Sequence, residues 1–416
     1  MGSMTQATQA VLVLNVGSSS IKYQLLDLDP EDTEASGGGT RLATGLAERI
    51  GSGGEGKLTH TRPGAEPHTV TTTFADHDHA LSAILAAFRD AGPDLDKAQL
   101  AAVGHRVVHG GSQFTEATVL DDAVLDAIRA LNPLAPLHNP ANITGIELTR
   151  RTFPDVPQVA VFDTAFHQTL PEIAHTYAVP RAWREELAVR RYGFHGTSNQ
   201  YVSRRAAALL GRPLAETNLI VLHLGNGASA TAIEAGRSVD TSMGLTPLEG
   251  LVMGSRSGDV DPAVPAYLER VAGLDGKTVD DVLNRESGLL GLAGSSDMRD
   301  VSKQAADGDP AARLAIDVYC HRLRKYVGAY YAVLGRVDAI VFTAGVGEHD
   351  ARIRALSLAG LERLGIAVDA ARNESAQSGE RFVSPEGAEV PVLVVPTDEE
   401  LEIARQSLAA VVSPAA

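Results

Sequence analysis

Val11 to Asn15 is a short apolar run closed by Gly17 and three serines, and a second apolar run follows from Ile21 to Leu28. Strand, tight turn, strand predicts a β-hairpin. The pattern returns about half the chain later. Leu219 to Leu224 is apolar apart from His223, Gly225-Asn226-Gly227-Ala228-Ser229 is a turn, and Ala230 to Ala235 is the return strand. Side by side, LVLNVGSSSIKYQLL and IVLHLGNGASATAIE share a polar residue late in the first strand, then an apolar residue, a glycine and small polar residues. The repetition predicts two related domains, each opening with a hairpin whose turn suits phosphate. A third junction, Asp338 to Glu348, predicts a strand running into a Gly345-Val346-Gly347 turn. Val392 to Val395 is one more strand. Pro396-Thr397-Asp398-Glu399-Glu400 opens a helix reaching about Val411, with Thr397 and Glu400 at capping-box spacing. Apolar spacing predicts helices over Ala80 to Ala91 and Leu120 to Leu131, and the Gly/Ser-rich stretches Ser36 to Thr40 and Gly51 to Gly56 predict exposed loops. Mixed strands and helices give an α/β class.

Length supports two domains as well, because 416 residues exceed one ordinary core. Hydrophobic residues make up 44% and aromatics 5%, which leaves the cores to Ala, Val, Leu and Ile. A formal charge of −16 argues against a nucleic-acid surface or an anionic membrane surface, since phosphate contacts need a basic face. It leaves room for an anionic small substrate where a few cationic side chains gather. Cys320 is the single cysteine, so no intrachain disulfide can form and a reducing compartment, the cytoplasm, is expected. No run approaches the ~18 apolar residues of a membrane helix. Met1-Gly2-Ser3-Met4 has neither a charged nor an apolar signal region, so no secretory signal is expected, and Met1 to Ser3 read as a cloning remnant.

The turn Asn15-Val16-Gly17-Ser18-Ser19-Ser20-Ile21-Lys22 offers a close backbone approach at Gly17, hydroxyl donors and a lysine charge. It lacks Walker A spacing, and an ordinary Gly-Ser hairpin would look the same. Gly345-Val346-Gly347 does not complete a dinucleotide fingerprint, because position 350 is Asp. Arg106 and Arg256 both sit among glycines, where a guanidinium can reach an open site and grip a carboxylate or phosphate; a surface ion pair is the plain alternative for either. His105, His109, His138, His167, His195 and His223 show no metal-ligand spacing, and Asp76-His77-Asp78-His79 reads as a solvated loop. Asp163 follows a short apolar strand, Val159 to Phe162, where it can reach a metal or an attacking oxygen, or simply cap a turn.

Together with PLHNP at 136–140, RRYGFHGTS at 190–198, SSDMRD at 295–300 and PTDEEL at 396–401, these segments resemble the acetate kinase (acetokinase) family of the sugar kinase, Hsp70 and actin superfamily. GHRVVHGG at 104–111, VFDTAFH at 161–167, HLGNG at 223–227, SRSGDVDP at 255–262 and FTAGVGE at 342–348 carry the same resemblance, in the same order. It implies a ribonuclease H-like fold: two duplicated α/β domains around a central nucleotide cleft. The first would cover 1–163 plus 397–416 and the second 164–396. It implies Mg²⁺, with Mn²⁺ as an alternative, ATP and ADP as co-substrates, acetate and acetyl phosphate as partners, and a homodimer.

The resemblance also assigns roles. Asn15 and Glu399 would position the metal, and Lys22, Ser18 and Ser20 would face the phosphates. His223, Leu224, Gly225, Asn226 and Gly227 would form a second phosphate loop. Asp297, Met298 and Arg299, with Gly345, Val346, Gly347, Glu348 and His349, would line the adenosine end. Arg106 would hold the carboxylate, with Val108, Leu137 and Pro247 around its methyl group. Asp163 would be an acid/base or metal-organising carboxylate, and His195 and Arg256 would stabilise the transition state. The chain departs from the family pattern at Asn199 (usually His), His349 (usually Asn), Asp398 (usually Asn) and in a short 293–297 loop. Two other readings compete: a kinase for propionate or butyrate, and a non-catalytic ATP-binding switch of the same fold.

Overall fold

The expected first hairpin is β1 (Gln9–Val16) and β2 (Ser20–Leu28), antiparallel, with Asn15 opposite Lys22. The computed structural model describes residues 9–28 and 38–412. Met1 to Ser3, and Ser36 and Gly37 of the first expected loop, lie outside the described residues. The remaining strands are β3 (Thr40–Glu48), β4 (Gly56–Thr61), β5 (His68–Thr72), β6 (Leu100–Val107), β7 (Thr118–Val119) and β8 (Gln158–Phe162). Then come β9 (Asn218–Leu224), β10 (Ala228–Glu234), β11 (Arg237–Thr241), β12 (Ala339–Thr343), β13 (Arg381–Phe382) and β14 (Val392–Val394).

The chain divides into two units, Met1–Phe166 with Asp398–Ala416, and His167–Thr397. The first carries the sheet β5-β4-β3-β2-β1-β6-β8-β7 and the second the sheet β11-β10-β9-β12-β14-β13. The repeat seen in the two hairpins extends through six strands. In each unit three sequential strands pair antiparallel, two later strands add in parallel, and a two-residue strand closes the edge antiparallel. The parallel strands β8 and β12 are buried at every residue, which is why they read as apolar runs without alternation. This is the duplicated α/β fold of the actin, Hsp70 and sugar kinase type.

With few aromatics, close approach is obtained by glycine. A Cβ on Gly104 of β6 would lie 2.4 Å from Ser407 Oγ, so the helix Glu399–Val412 packs against that backbone. A Cβ on Gly45 of β3 would lie 2.1 Å from the ring of Tyr23, a fully buried side chain whose hydroxyl meets His60 Nδ1 at 2.7 Å.

Three local expectations are corrected. Gly345-Val346-Gly347 is not a turn: Thr343 stays extended, Ala344 takes φ 63°, and the chain then coils as Ala344–His349. Asp76 to His79 is not a free loop, because the Asp76 carboxylate accepts from His79 N at 2.9 Å and starts the helix His77–Ala91. The last helix is capped by Asp398, which accepts from Leu401 N at 3.1 Å, while Thr397 Oγ1 is drawn to Ser198 Oγ at 2.8 Å. Glu400 pairs with Lys22 instead of closing a capping box. Among the described residues no helix is long and apolar enough to cross a membrane.

Two glycines separate these effects. Gly45→Ala should cost about 1–3 kcal/mol by forcing Tyr23 from its seat. Gly328, inside the helix Pro310–Leu334, has nothing within 4 Å of a built Cβ, so Gly328→Ala should gain up to about 1 kcal/mol of helix propensity. Urea unfolding of both variants reads the two signs.

Candidate functional site

In the first unit the turn after β1 is held from inside. Gly17 N donates to Ser20 O at 2.9 Å, Ile50 N donates to Ser19 O at 3.0 Å, and His77 Nε2 meets Gly17 O at 2.8 Å. Ser18 is exposed and Ser20 and Asn15 are half-buried. The end of β1 is tied to the end of β6 by one side chain. Asn142 accepts from Val108 N at 3.1 Å and donates to Val16 O at 2.8 Å. Asn139 does the same for His109, accepting from its N and donating to its O, both at 3.1 Å. Asn139 lies inside PLHNP at 136–140, where the sequence reading gave a role only to Leu137; Asn142 lies beyond that motif.

Arg106, on β6, reaches the residue that follows β8. Its Nε donates to Asp163 Oδ1 at 3.0 Å and its Nη2 to Oδ2 at 2.6 Å. Asp163 is 2% exposed, so the pair is desolvated on the carboxylate side. Nη1 of Arg106 has no hydrogen-bond partner among the described residues. Burial works against the guanidinium charge, yet Asp163, Glu399 and Glu400 together hold its pKa above the ordinary value. Glu399 responds in the opposite sense. Burial pushes its carboxyl up, Arg106 opposes this, and Asp163 and Glu400 add to it. Glu400 is buried and takes Lys22 Nζ at 2.5 Å, so the lysine expected to face phosphate rests on a carboxylate. Val108, two residues after Arg106, is buried, whereas Leu137 is 48% exposed.

In the second unit His195 begins the helix Gly196–Leu209 in the left-handed region, φ 59° and ψ 25°. That conformation stacks its ring on His223, with centroids 4.0 Å apart at 22°. His195 Nδ1 meets Ser229 Oγ at 3.0 Å and His223 Nδ1 meets Ser198 Oγ at 2.8 Å. Between β9 and β10, Gly225 N donates to Gly227 O at 3.0 Å. A methyl built on Gly227 would sit 3.5 Å from both Arg256 Nη1 and His195 Nε2, so the two expected charge-stabilising groups converge on this turn. Arg256 Nη1 donates to Pro247 O at 3.0 Å, which gives Pro247 a holding contact through its carbonyl.

A cavity of about 550 Å³ opens beside that turn. Gly225, Asn226, Asp297, Met298, Arg299, Gly345, Val346 and His349 line it as expected. Leu224 is buried at the end of β9, Gly347 packs beneath Phe342, and Glu348 accepts from Thr397 N at 3.3 Å; these do not line it. Gly254, Leu289, Ser296, Tyr319 and Asp350 complete the wall without having been singled out. Ser296 lies inside the SSDMRD segment at 295–300, but nothing local marks Leu289 or Tyr319. Asp297 caps the helix Met298–Ala306, and its hydrogen bonds from Arg299, side chain first and backbone second, pull its carboxyl down to about 2. Among the described residues no group of three or more His, Cys, Asp or Glu side chains could hold a metal.

A family model described as the acetokinase family matches residues 10–405. An acetate kinase of Streptomyces avermitilis is 58% identical over 402 residues, 96% of this chain and 97% of the relative. An acetate kinase of Nitratidesulfovibrio vulgaris is 49% identical over 404 residues, 96% and 98% of the two chains. Among solved structures, Porphyromonas gingivalis acetate kinase superposes with a TM-score of 0.89 at 41% identity, covering 97% of this chain and 100% of the other. A propionate kinase from Francisella tularensis gives 0.87 at 40% identity, covering 96% and 99%.

The convergence on Gly227 can be tested without disturbing the fold. A methyl at 3.5 Å displaces nothing, so Gly227→Ala should leave the unfolding midpoint within about 0.5 kcal/mol of the parent. It occupies the space between His195 and Arg256, so turnover in a phosphoryl-transfer assay should fall at least about tenfold.

Proposed function

The chain belongs to the acetokinase family, and on that premise we propose that it moves the γ-phosphoryl group of ATP to acetate, giving ADP and acetyl phosphate, and runs the reverse. A carboxylate oxygen of acetate forms the new P–O bond as the bond to the ADP oxygen breaks. The observation that carries this reading is the Arg106 guanidinium, gripped along one edge by Asp163 with Nη1 left for a second carboxylate.

Acetate is ionised at neutral pH and needs no strong base. The difficulty is the approach of two anions, so positioning and charge stabilisation supply the rate. Arg106 binds and orients the acid, and Asp163, with its oxygens engaged by Arg106, fixes the guanidinium and does not act as a base. Arg256 and His195 stabilise charge on the transferring group. The turns at Ser18 to Ser20 and His223 to Gly227 hold phosphate oxygens, and the 550 Å³ cavity takes the nucleoside.

The first unit suits Mg²⁺. Mg²⁺ keeps most of its waters and takes one or two carboxylates plus substrate phosphates, so a closed cage of protein ligands is not required. Glu399 fits that role, as a carboxylate raised by burial and by neighbouring carboxylates would gain from a divalent charge, with Asn15 as a neutral oxygen donor. When bound, the ion would neutralise phosphate oxygens. We further propose a homodimer working in the cytoplasm on these small molecules, with neither nucleic acid nor membrane as partner, in keeping with the charge of −16.

Arg106→Ala should lower kcat/KM for acetate by on the order of 10²–10³, since a lost charge clamp costs about 3–4 kcal/mol. A coupled ADP-release assay showing the parental rate would remove Arg106 from its role. The same assay with acetate, propionate and butyrate fixes the acid. Burial of Val108 favours a small pocket, so each added methylene should cost about 1–3 kcal/mol in kcat/KM; a preference for propionate would reassign the substrate.

A further inference from the structure

The cavity in the second unit has one unsettled group in its wall. Tyr319, on the helix Pro310–Leu334, is 2% exposed, and its hydroxyl is buried with no hydrogen-bond partner. No other residue lining the cavity has a buried side-chain polar atom in that state among the described residues. A buried hydroxyl without a partner is unfavourable, whereas phenylalanine would fill the same volume without that cost. Nearby acceptors do not relieve it. Asp350 is taken up by Ile353 N at 3.0 Å and by Ser302 Oγ at 3.5 Å. Burial, with Cys320 and Asp350 adding to it, pushes the phenol well above its ordinary range, so the group stays a neutral donor.

We infer that the Tyr319 hydroxyl reads the nucleobase, donating a hydrogen bond to a ring nitrogen of a purine seated in this cavity. The inference rests on the reading of the cavity as the nucleoside site. Its other walls explain why one polar group would matter. Leu289 and Met298 offer apolar surface for the base, and Gly345 has open space above it, with nothing within 4 Å of a built Cβ. Apolar walls hold a planar ring without fixing its rotation; a convergent donor fixes it, and of the polar side chains in the lining Tyr319 is the one with a buried polar atom left unpartnered among the described residues. Tyr319 is therefore a specificity-determining residue, and the helix that carries it lies outside every motif of the sequence.

The test is calorimetric binding of ADP and its 1-, 3- and 7-deaza analogues to the full chain and to Tyr319→Phe, with unfolding midpoints of both proteins. Tyr319→Phe should weaken ADP binding about tenfold, the size of one hydrogen bond, with its midpoint unchanged or raised. One deaza analogue should bind the parent about tenfold more weakly and lose nothing further in the variant. Equal ADP affinity of parent and variant, or the same deaza penalty in both, would overturn the inference. A parent that does not bind ADP would overturn it together with the nucleoside reading of the cavity. A parent that binds ADP but transfers no phosphoryl group to acetate, with the base discrimination intact, would sink the kinase reading alone.

Discussion

The Arg106–Asp163 pair sets the conditions for the first unit. A carboxylate that is 2% exposed has little water to bond and takes Arg106 as its partner, and a guanidinium held by Nε and Nη2 cannot swing away from it. Each fixes the other, and the guanidinium proposed to bind the acid is held in one orientation. Glu399 and Glu400 add negative charge around it, so the group as a whole is short of cations.

Backbone is held as carefully as charge. His77 grips the carbonyl of Gly17, Asn142 spans from Val16 to Val108, and Ser198 links His223 with Thr397. None of these side chains belongs to the proposed reacting set. Their common effect is to fix loops whose glycines would otherwise leave them loose, so the exposed donors of each turn are preorganised. The same economy appears in the strands, where Gly45 and Gly104 bring neighbouring elements too close for any side chain.

The two units repeat one plan, but with different contents. Both open with an antiparallel hairpin and continue with parallel strands. The first turn carries serines and leads to Lys22; the second carries glycines and brings two stacked histidines beside it. The duplicated scaffold thus presents different groups from equivalent positions, and the proposed division of labour between acid-binding and nucleoside-binding parts follows from side chains grafted on a shared topology.

The sequence by itself determined whatever depends on neighbours in the chain. The hairpins were legible because an apolar run, a glycine turn and a second apolar run specify a two-strand ribbon locally, and their resemblance disclosed the duplication. Arg106, Asp163, His195 and Arg256 were legible through motifs. Tertiary structure decided what depends on residues distant in sequence. Thr397 and Asp398 are both good caps, and Ser198, far along the chain, draws off the first and leaves the second. Gly347 lies against Phe342, its near neighbour in the chain, and against Leu222 of β9, more than a hundred residues earlier, and that second contact is one no local window contains. Asn142, Leu289 and Tyr319 owe their positions to where whole elements pack, and packing is a property of the folded chain that no local pattern encodes.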